Sequence, residues 1–301
     1  MDINNSTKQT IEVIMKRKKR YVEYDYEATY TEPIDYANER NMDKLLQQGK
    51  VKSVYTTKTI KAGNQFEVEI YPAFTRKESI GKNLKPRSTS AQKNLNDKNA
   101  RKRLERLINA NFSSGDLWIT LTYDNEHLPG SMDEALKNMK NYIRRINYKR
   151  IKLGLPKAKY IYVTEYNPGK KIRCHHHIIM DGALPMDDVE KLWKCGKRNN
   201  VRRTQEDEEG GLTGLAKYLS KDPAGNKRWC SSTNLKKPIE SKSYHAFRSR
   251  QVRKMVENRE CVKQMLEKKY KNRRLINFEI KKNEINGYFY VYARMTERRN
   301  Q

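Results

Sequence analysis

Three consecutive histidines, His175, His176 and His177, interrupt an otherwise mostly apolar run from Ile172 to Met180, in a chain with only five histidines in all. The run has strand composition, and a strand alternates its side chains between two faces. His175 and His177 then point one way and His176 the other, as an outward residue. Two imidazoles converging on one point call for a neighbouring strand to complete the site. Glu165 lies on the preceding strand, Lys159 to Tyr166, and the turn Asn167-Pro-Gly-Lys-Lys171 joins the two. In a hairpin, either a 165/175 or a 165/177 register brings the carboxylate beside both histidines, whereas a one-residue slip delivers it to His176. Two imidazoles and a carboxylate with open coordination positions suit Mn²⁺ or Mg²⁺, and Zn²⁺ or Co²⁺ are chemically admissible. A lone histidine beside a solvated glutamate needs no metal; an alternating pair with a phased carboxylate favours one. Cys174 faces away from His175, and the four cysteines lack both CxxC spacing and the density of a disulfide scaffold, so they read as reduced thiols.

Charge narrows the partner. With 64 Lys+Arg against 36 Asp+Glu the formal net charge is +28, which calls for a polyanion, and nucleic acid is the expected one. No run of about 18 apolar residues and no signal-peptide pattern is present, so the chain reads as soluble and intracellular, without a membrane partner. No GxxxxGK[ST] run is found, so no helicase activity is expected.

Three segments are expected. Residues 1–100 are polar and basic and read as partly flexible: Lys16-Arg-Lys-Lys-Arg20 reads as a phosphate-binding arm in preference to a localisation signal, and Arg76 to Ser90 is rich in Ser, Lys and Pro. One hairpin, about 53–71, pairs Ser53 to Ile60 with Gln65 to Tyr71 around Lys61-Ala-Gly-Asn64. Residues 101–238 begin with a helix, Arg101 to Ala110, and a strand, Leu117 to Tyr123. A helix from Asp133 to Ile151 precedes the two strands at the histidines. Then come a helix from Met186 to Cys195 stopped by Gly196, a short strand from Asn200 to Thr204, and a helix from Leu212 to Lys221. This order predicts an α+β fold, a central antiparallel sheet with flanking helices, plus accessory terminal segments. Residues 239–301 supply one helix, Phe247 to Tyr270, and two strands, Leu275 to Lys281 and Tyr288 to Met295.

In Gly214-Leu-Ala-Lys-Tyr-Leu-Ser-Lys221, Tyr218 lies beside the apolar stripe Leu212, Leu215, Ala216 and Leu219, with Lys221 one turn on. A phenol with an ordinary pKa of about 10 is a poor nucleophile. A nearby cation and a metal-bound phosphate would favour its phenolate. Among 19 tyrosines the motif alone is weak; the histidine strand upstream gives it weight.

With these pieces in order the chain resembles the HUH endonuclease superfamily, and within it the rolling-circle replication initiators of single-stranded DNA phages and plasmids. The resemblance rests on the strand Trp118-Ile-Thr-Leu-Thr-Tyr123, the His-x-His strand Arg173-Cys-His-His-His177, and the Tyr-x-x-Lys pair Tyr218 and Lys221, and it covers about Leu117 to Pro238. It implies an HUH, ferredoxin-like fold and a metal held by His175, His177 and Glu165. It further implies nucleophilic attack by Tyr218 assisted by Lys221, a 5′-phosphotyrosine link and a free 3′-OH primer. Thr122, Tyr123 and Arg173 would contact DNA. Single-stranded or origin DNA, a host helicase and a host polymerase are the implied partners, in the cytoplasm of a bacterial host. No second tyrosine follows Tyr218 by one turn, which implies a single-tyrosine enzyme. The rival readings are an HUH-type transposase or relaxase, and a non-enzymatic nucleic-acid-binding protein.

Overall fold

A computed structural model of the chain describes residues 21–23, 36–75, 89–167, 172–208, 210–220 and 229–298. The basic run at 16–20, most of the Ser/Lys/Pro-rich stretch, the turn residues 168–171 and Lys221 lie outside the described residues. Two antiparallel sheets with helices on their faces make an α+β fold.

The sheet that carries the histidines contains β4 (Leu117–Thr122), β5 (Tyr160–Asn167), β6 (Ile172–Met180), β7 (Asn200–Arg203) and β8 (Cys230–Ser231), in the order β7-β4-β6-β5-β8. Alternation divides its residues cleanly. Leu117, Ile119 and Leu121 of β4 and Cys174, Ile178 and Met180 of β6 are buried against Met139, Tyr142 and Ile146 of the long helix Met132–Lys152. Ser131 caps that helix, accepting from the Glu134 amide at 3.2 Å. Trp118, Ile161, Val163 and Ile179 fill the opposite face, together with apolar residues of two further helices.

Before the first sheet come β1 (Tyr21–Glu23), α1 (Tyr36–Gln47), the hairpin β2 (Ser53–Ala62) and β3 (Gln65–Thr75), and α2 (Thr89–Asn109). The remaining helices are α3 (Met132–Lys152), α4 (Met186–Lys191), α5 (Thr213–Leu219), α6 (Ser249–Glu257) and α7 (Arg259–Lys269). Strands β9 (Ile239–Ser243), β10 (Arg273–Lys282) and β11 (Phe289–Glu297) join the hairpin in a second sheet, ordered β10-β11-β3-β2-β9, with β1 on the far end of β3. The two flanks of the chain thus share one sheet. Val68 and Ile70 of β3 pack under Val252, Met255, Val262 and Leu266 of α6 and α7. Glu67 and Glu69 point to the other side, where Arg106 of α2 lies 2.7 Å and 3.0 Å from them. Burial alone would raise the Glu67 pKa, but the hydrogen bonds and charge of Arg106 hold it below the ordinary carboxylate value. The opposite side of α2 buries Leu104 and Ile108 against the histidine sheet. One helix therefore serves both sheets.

Three expected helices differ, and the one expected to begin at Arg101 begins at Thr89. The helix expected from Phe247 to Tyr270 is two, because Asn258 leaves the helical region (φ −132°, ψ 109°) and its side chain caps α7 by accepting from the Glu260 amide. The helix expected to run to Cys195 stops at Lys191. Beyond it Trp193 donates through Nε1 to the Thr122 carbonyl at 2.7 Å. Gly196 is no helix stop. It lets the chain pass so close to β4 that a Cβ would sit 2.2 Å from the Thr122 carbonyl oxygen.

Candidate active site

Strand pairing decides which side chains meet. Glu165 is the direct antiparallel partner of His175, and Val163 of His177, with a bulge immediately after Glu165. On the other flank of β6, Thr120 faces His177 and Thr122 faces His175. The first of the two admissible registers is the one present. His175 Nε2 lies 3.4 Å from one Glu165 oxygen and His177 Nε2 3.6 Å from the other. One ligand atom from each residue falls within 4.8 Å of the other two.

Tautomers follow from the second nitrogens. His175 Nδ1 is 2.8 Å from the Arg173 carbonyl, which can only accept, so this nitrogen donates and a neutral ring presents its Nε2 lone pair to Glu165. His177 Nδ1 lies 3.2 Å from Thr120 Oγ1; a proton donated there likewise leaves the Nε2 lone pair facing the cluster. Two imidazole lone pairs and a carboxylate then confront one another, an arrangement that a cation stabilises. Ligands about 2.1 Å from one ion, at right or tetrahedral angles, stand roughly 3.0–3.4 Å apart, close to the two histidine–carboxylate separations here. The donor set fits a divalent cation.

Tyr218 completes the group. Its hydroxyl is 3.3 Å from His177 Nε2, and its ring meets the imidazole edge-on at 4.9 Å between centroids. The residue is 38% exposed, so a substrate can reach it. It reaches the sheet because Leu212, Ala216 and Leu219 anchor α5 in the core shared with α2. Trp118 forms the floor, stacked on His177 at 5.7 Å with a 14° tilt and edge-on to Tyr218. Trp118 and Thr120 are site residues that the motif pattern does not single out. Strand alternation would find them, since Leu117, Ile119 and Leu121 mark the opposite, core-facing side.

His176 corrects an expectation. It is not outward but fully buried on the α3 side, with Nε2 2.8 Å from the Tyr123 hydroxyl and Nδ1 2.9 Å from Thr164 Oγ1. Burial lowers its pKa to about 3, so it is neutral at physiological pH. Tyr123 is corrected with it. Its ring is buried against Trp193 and His176 on the face away from Tyr218, so it does not line a path for DNA on the cluster side. Thr122 is on the cluster face, with its hydroxyl donating to the Arg198 carbonyl. Arg173 is exposed and donates to Asn125 Oδ1 at 2.7 Å. Lys221, the expected partner of Tyr218, lies outside the described residues, and the helix itself ends at Leu219.

Comparison with known protein families gives a match to the central part of the chain. The family model for the replication-associated protein ORF2 matches residues 116–223, a little over a third of the chain, and this stretch contains Glu165, His175, His177 and Tyr218. The central segment is thus similar to a family of replication-associated proteins. No curated protein and no solved structure matches the chain. Among the described residues no helix is long and apolar enough to cross a membrane.

Proposed function

We propose that the protein is a rolling-circle replication initiator of the HUH type, which nicks and rejoins single-stranded DNA through Tyr218. One observation carries the reading: the hydroxyl of a partly exposed tyrosine stands 3.3 Å from a histidine of a two-imidazole, one-carboxylate cluster, inside the segment similar to replication-associated proteins. The +28 formal charge favours a nucleic-acid substrate. Glu165, His175 and His177 would hold Mn²⁺ or Mg²⁺, which would supply charge neutralisation to the scissile phosphate.

The chain's own groups do the rest. Thr120 and the Arg173 carbonyl orient the two imidazoles, and Trp118 sets the floor against which Tyr218 is positioned. As the bond from the Tyr218 oxygen to phosphorus forms, the bond from phosphorus to the 3′ oxygen breaks. The phenolic proton passes to solvent water and the 3′ oxygen takes a proton from water, leaving a 3′-OH and a phosphotyrosine ester. The ester retains the energy for rejoining, so no nucleotide cofactor is needed. Lys221, one turn beyond Tyr218, would assist, and origin DNA with a host helicase and polymerase would be the partners.

The test is a denaturing gel of labelled origin-strand oligonucleotide incubated with protein and Mn²⁺. A covalent band is expected from the wild type. Tyr218→Phe, which keeps the ring and its contacts with His177 and Trp118, should lower it by at least about a thousandfold. Cleavage without any adduct would make the protein an ordinary metallonuclease, and binding without cleavage a nucleic-acid-binding protein.

A further inference from the structure

Three buried polar side chains lie where three elements end. Gln65 is the first residue of β3, Asn109 the last of α2 and Thr213 the first of α5. They are 2%, 6% and 1% exposed. Asn109 Nδ2 donates to Gln65 Oε1 at 2.8 Å, and Gln65 Nε2 donates to Thr213 Oγ1 at 2.8 Å. Asn109 Oδ1 accepts from the Leu212 amide at 2.7 Å, the residue that begins the turn into α5. Gly211 shows how closely the backbone is drawn in: a Cβ there would lie 2.5 Å from Asn109 Oδ1 and 2.8 Å from Gln65 Nε2.

We infer that Gln65, Asn109 and Thr213 are positioning residues, a buried relay by which the terminal sheet aims the tyrosine helix at the histidine cluster; this rests on the nicking role proposed for Tyr218. The reason is mechanical. A helix of seven residues is too short to hold itself, so its direction comes from what its first turn and its apolar stripe touch. The stripe, Leu212, Ala216 and Leu219, selects the face turned inward. Apolar contact is non-directional, whereas the two hydrogen bonds that tie the Leu212 amide to Asn109 and the Thr213 hydroxyl to Gln65 direct where the helix begins. Tyr218 lies five residues on, about 7.5 Å along the axis, so a tilt at the first turn moves its hydroxyl away from His177. Gln65 and Asn109 both fall outside the segment similar to replication-associated proteins. The flanks would thus take part in placing the nucleophile.

Thr213→Val keeps shape and removes the hydroxyl, Thr213→Ser keeps the hydroxyl, and Gln65→Met breaks the relay from its middle. Two measurements read the effect in the full chain: single-turnover adduct formation with saturating oligonucleotide and Mn²⁺, and the ¹⁹F spectrum of 3-fluorotyrosine at position 218. With Thr213→Val or Gln65→Met the rate should fall at least about tenfold, while half-saturating oligonucleotide and Mn²⁺ concentrations stay within about twofold. The fluorine resonance should shift or split. Thr213→Ser should restore both. Wild-type rates and an unmoved resonance in the broken variants would overturn the inference. So would failure of both broken variants to fold, which would make the relay a condition of folding instead of aim. If the wild type forms no adduct, the nicking role falls, and the fluorine spectra alone decide whether the relay positions Tyr218.

Discussion

His176 and its two neighbours should respond to mutation in opposite ways. His175 and His177 offer Nε2 to the Glu165 carboxylate, whereas both nitrogens of His176 face hydroxyls in the core. His175→Ala should abolish Mn²⁺ binding, read by isothermal titration, yet change stability by under about 1 kcal/mol, because its side chain is 20% exposed and outside the apolar core. His176→Leu should retain Mn²⁺ binding. It leaves the buried Tyr123 hydroxyl without this partner, at a cost of about 1–3 kcal/mol read from the denaturant midpoint. Parallel losses in the two variants would mean that the faces of β6 are not functionally separate. The face shared by His175 and His177 is legible in the sequence, because alternation is local. What covers each face is not. Nothing near His176 says that α3 lies over it, and Tyr123 looks like part of a DNA path until its burial is known.

At the scale of elements, β6 has the bounds its composition predicts, Ile172–Met180, whereas only the pairing of the strands chooses the 165/175 register over 165/177. The missed boundaries are those set by long-range contacts. Docking of Trp193 on the Thr122 carbonyl draws the chain out of α4. β9 carries no alternation to detect, since Ile239, Glu240, Ser241 and Lys242 are all exposed at a sheet edge. The joint between α2 and β3 is equally hidden, for nothing local connects Arg106 to Glu67. That joint titrates. Glu67 is held below the ordinary value of 4.5, so in acid below that value the unfolded chain takes up a proton there that the folded chain does not. Stability then rises with pH across this window and is lost as pH falls through it. Melting temperature against pH should drop less steeply below about pH 4.5 in Glu67→Gln than in the wild type. Equal slopes would show that Arg106 does not hold the carboxylate ionised.

On the scale of the whole molecule, the segment similar to replication-associated proteins, residues 116–223, is not the unit whose core is complete. It contains the cluster, Tyr218 and the α3 face, but one face of its sheet lies under residues that precede it. Leu104 and Ile108 of α2, and Phe112 just beyond, cover Trp118, Ile161, Val163 and Ile179. Burying three such side chains is worth on the order of 5–9 kcal/mol, comparable with the net stability of an ordinary domain, about 5–15 kcal/mol. Cutting at 116 also removes Asn109 and Gln65, and with them two of the hydrogen bonds that start α5. Residues 116–223 alone should therefore show no cooperative thermal transition, whereas residues 36–298 should unfold in one. A fragment beginning at 89 would regain the apolar cover of α2 while exposing the side of that helix where Arg106 and Glu105 meet the terminal sheet. It should melt cooperatively but well below residues 36–298. Calorimetry on the three pieces orders them, and a cooperative transition in 116–223 matching that of 36–298 would show that the histidine sheet carries its own stability, with the shared helix added to a unit already complete.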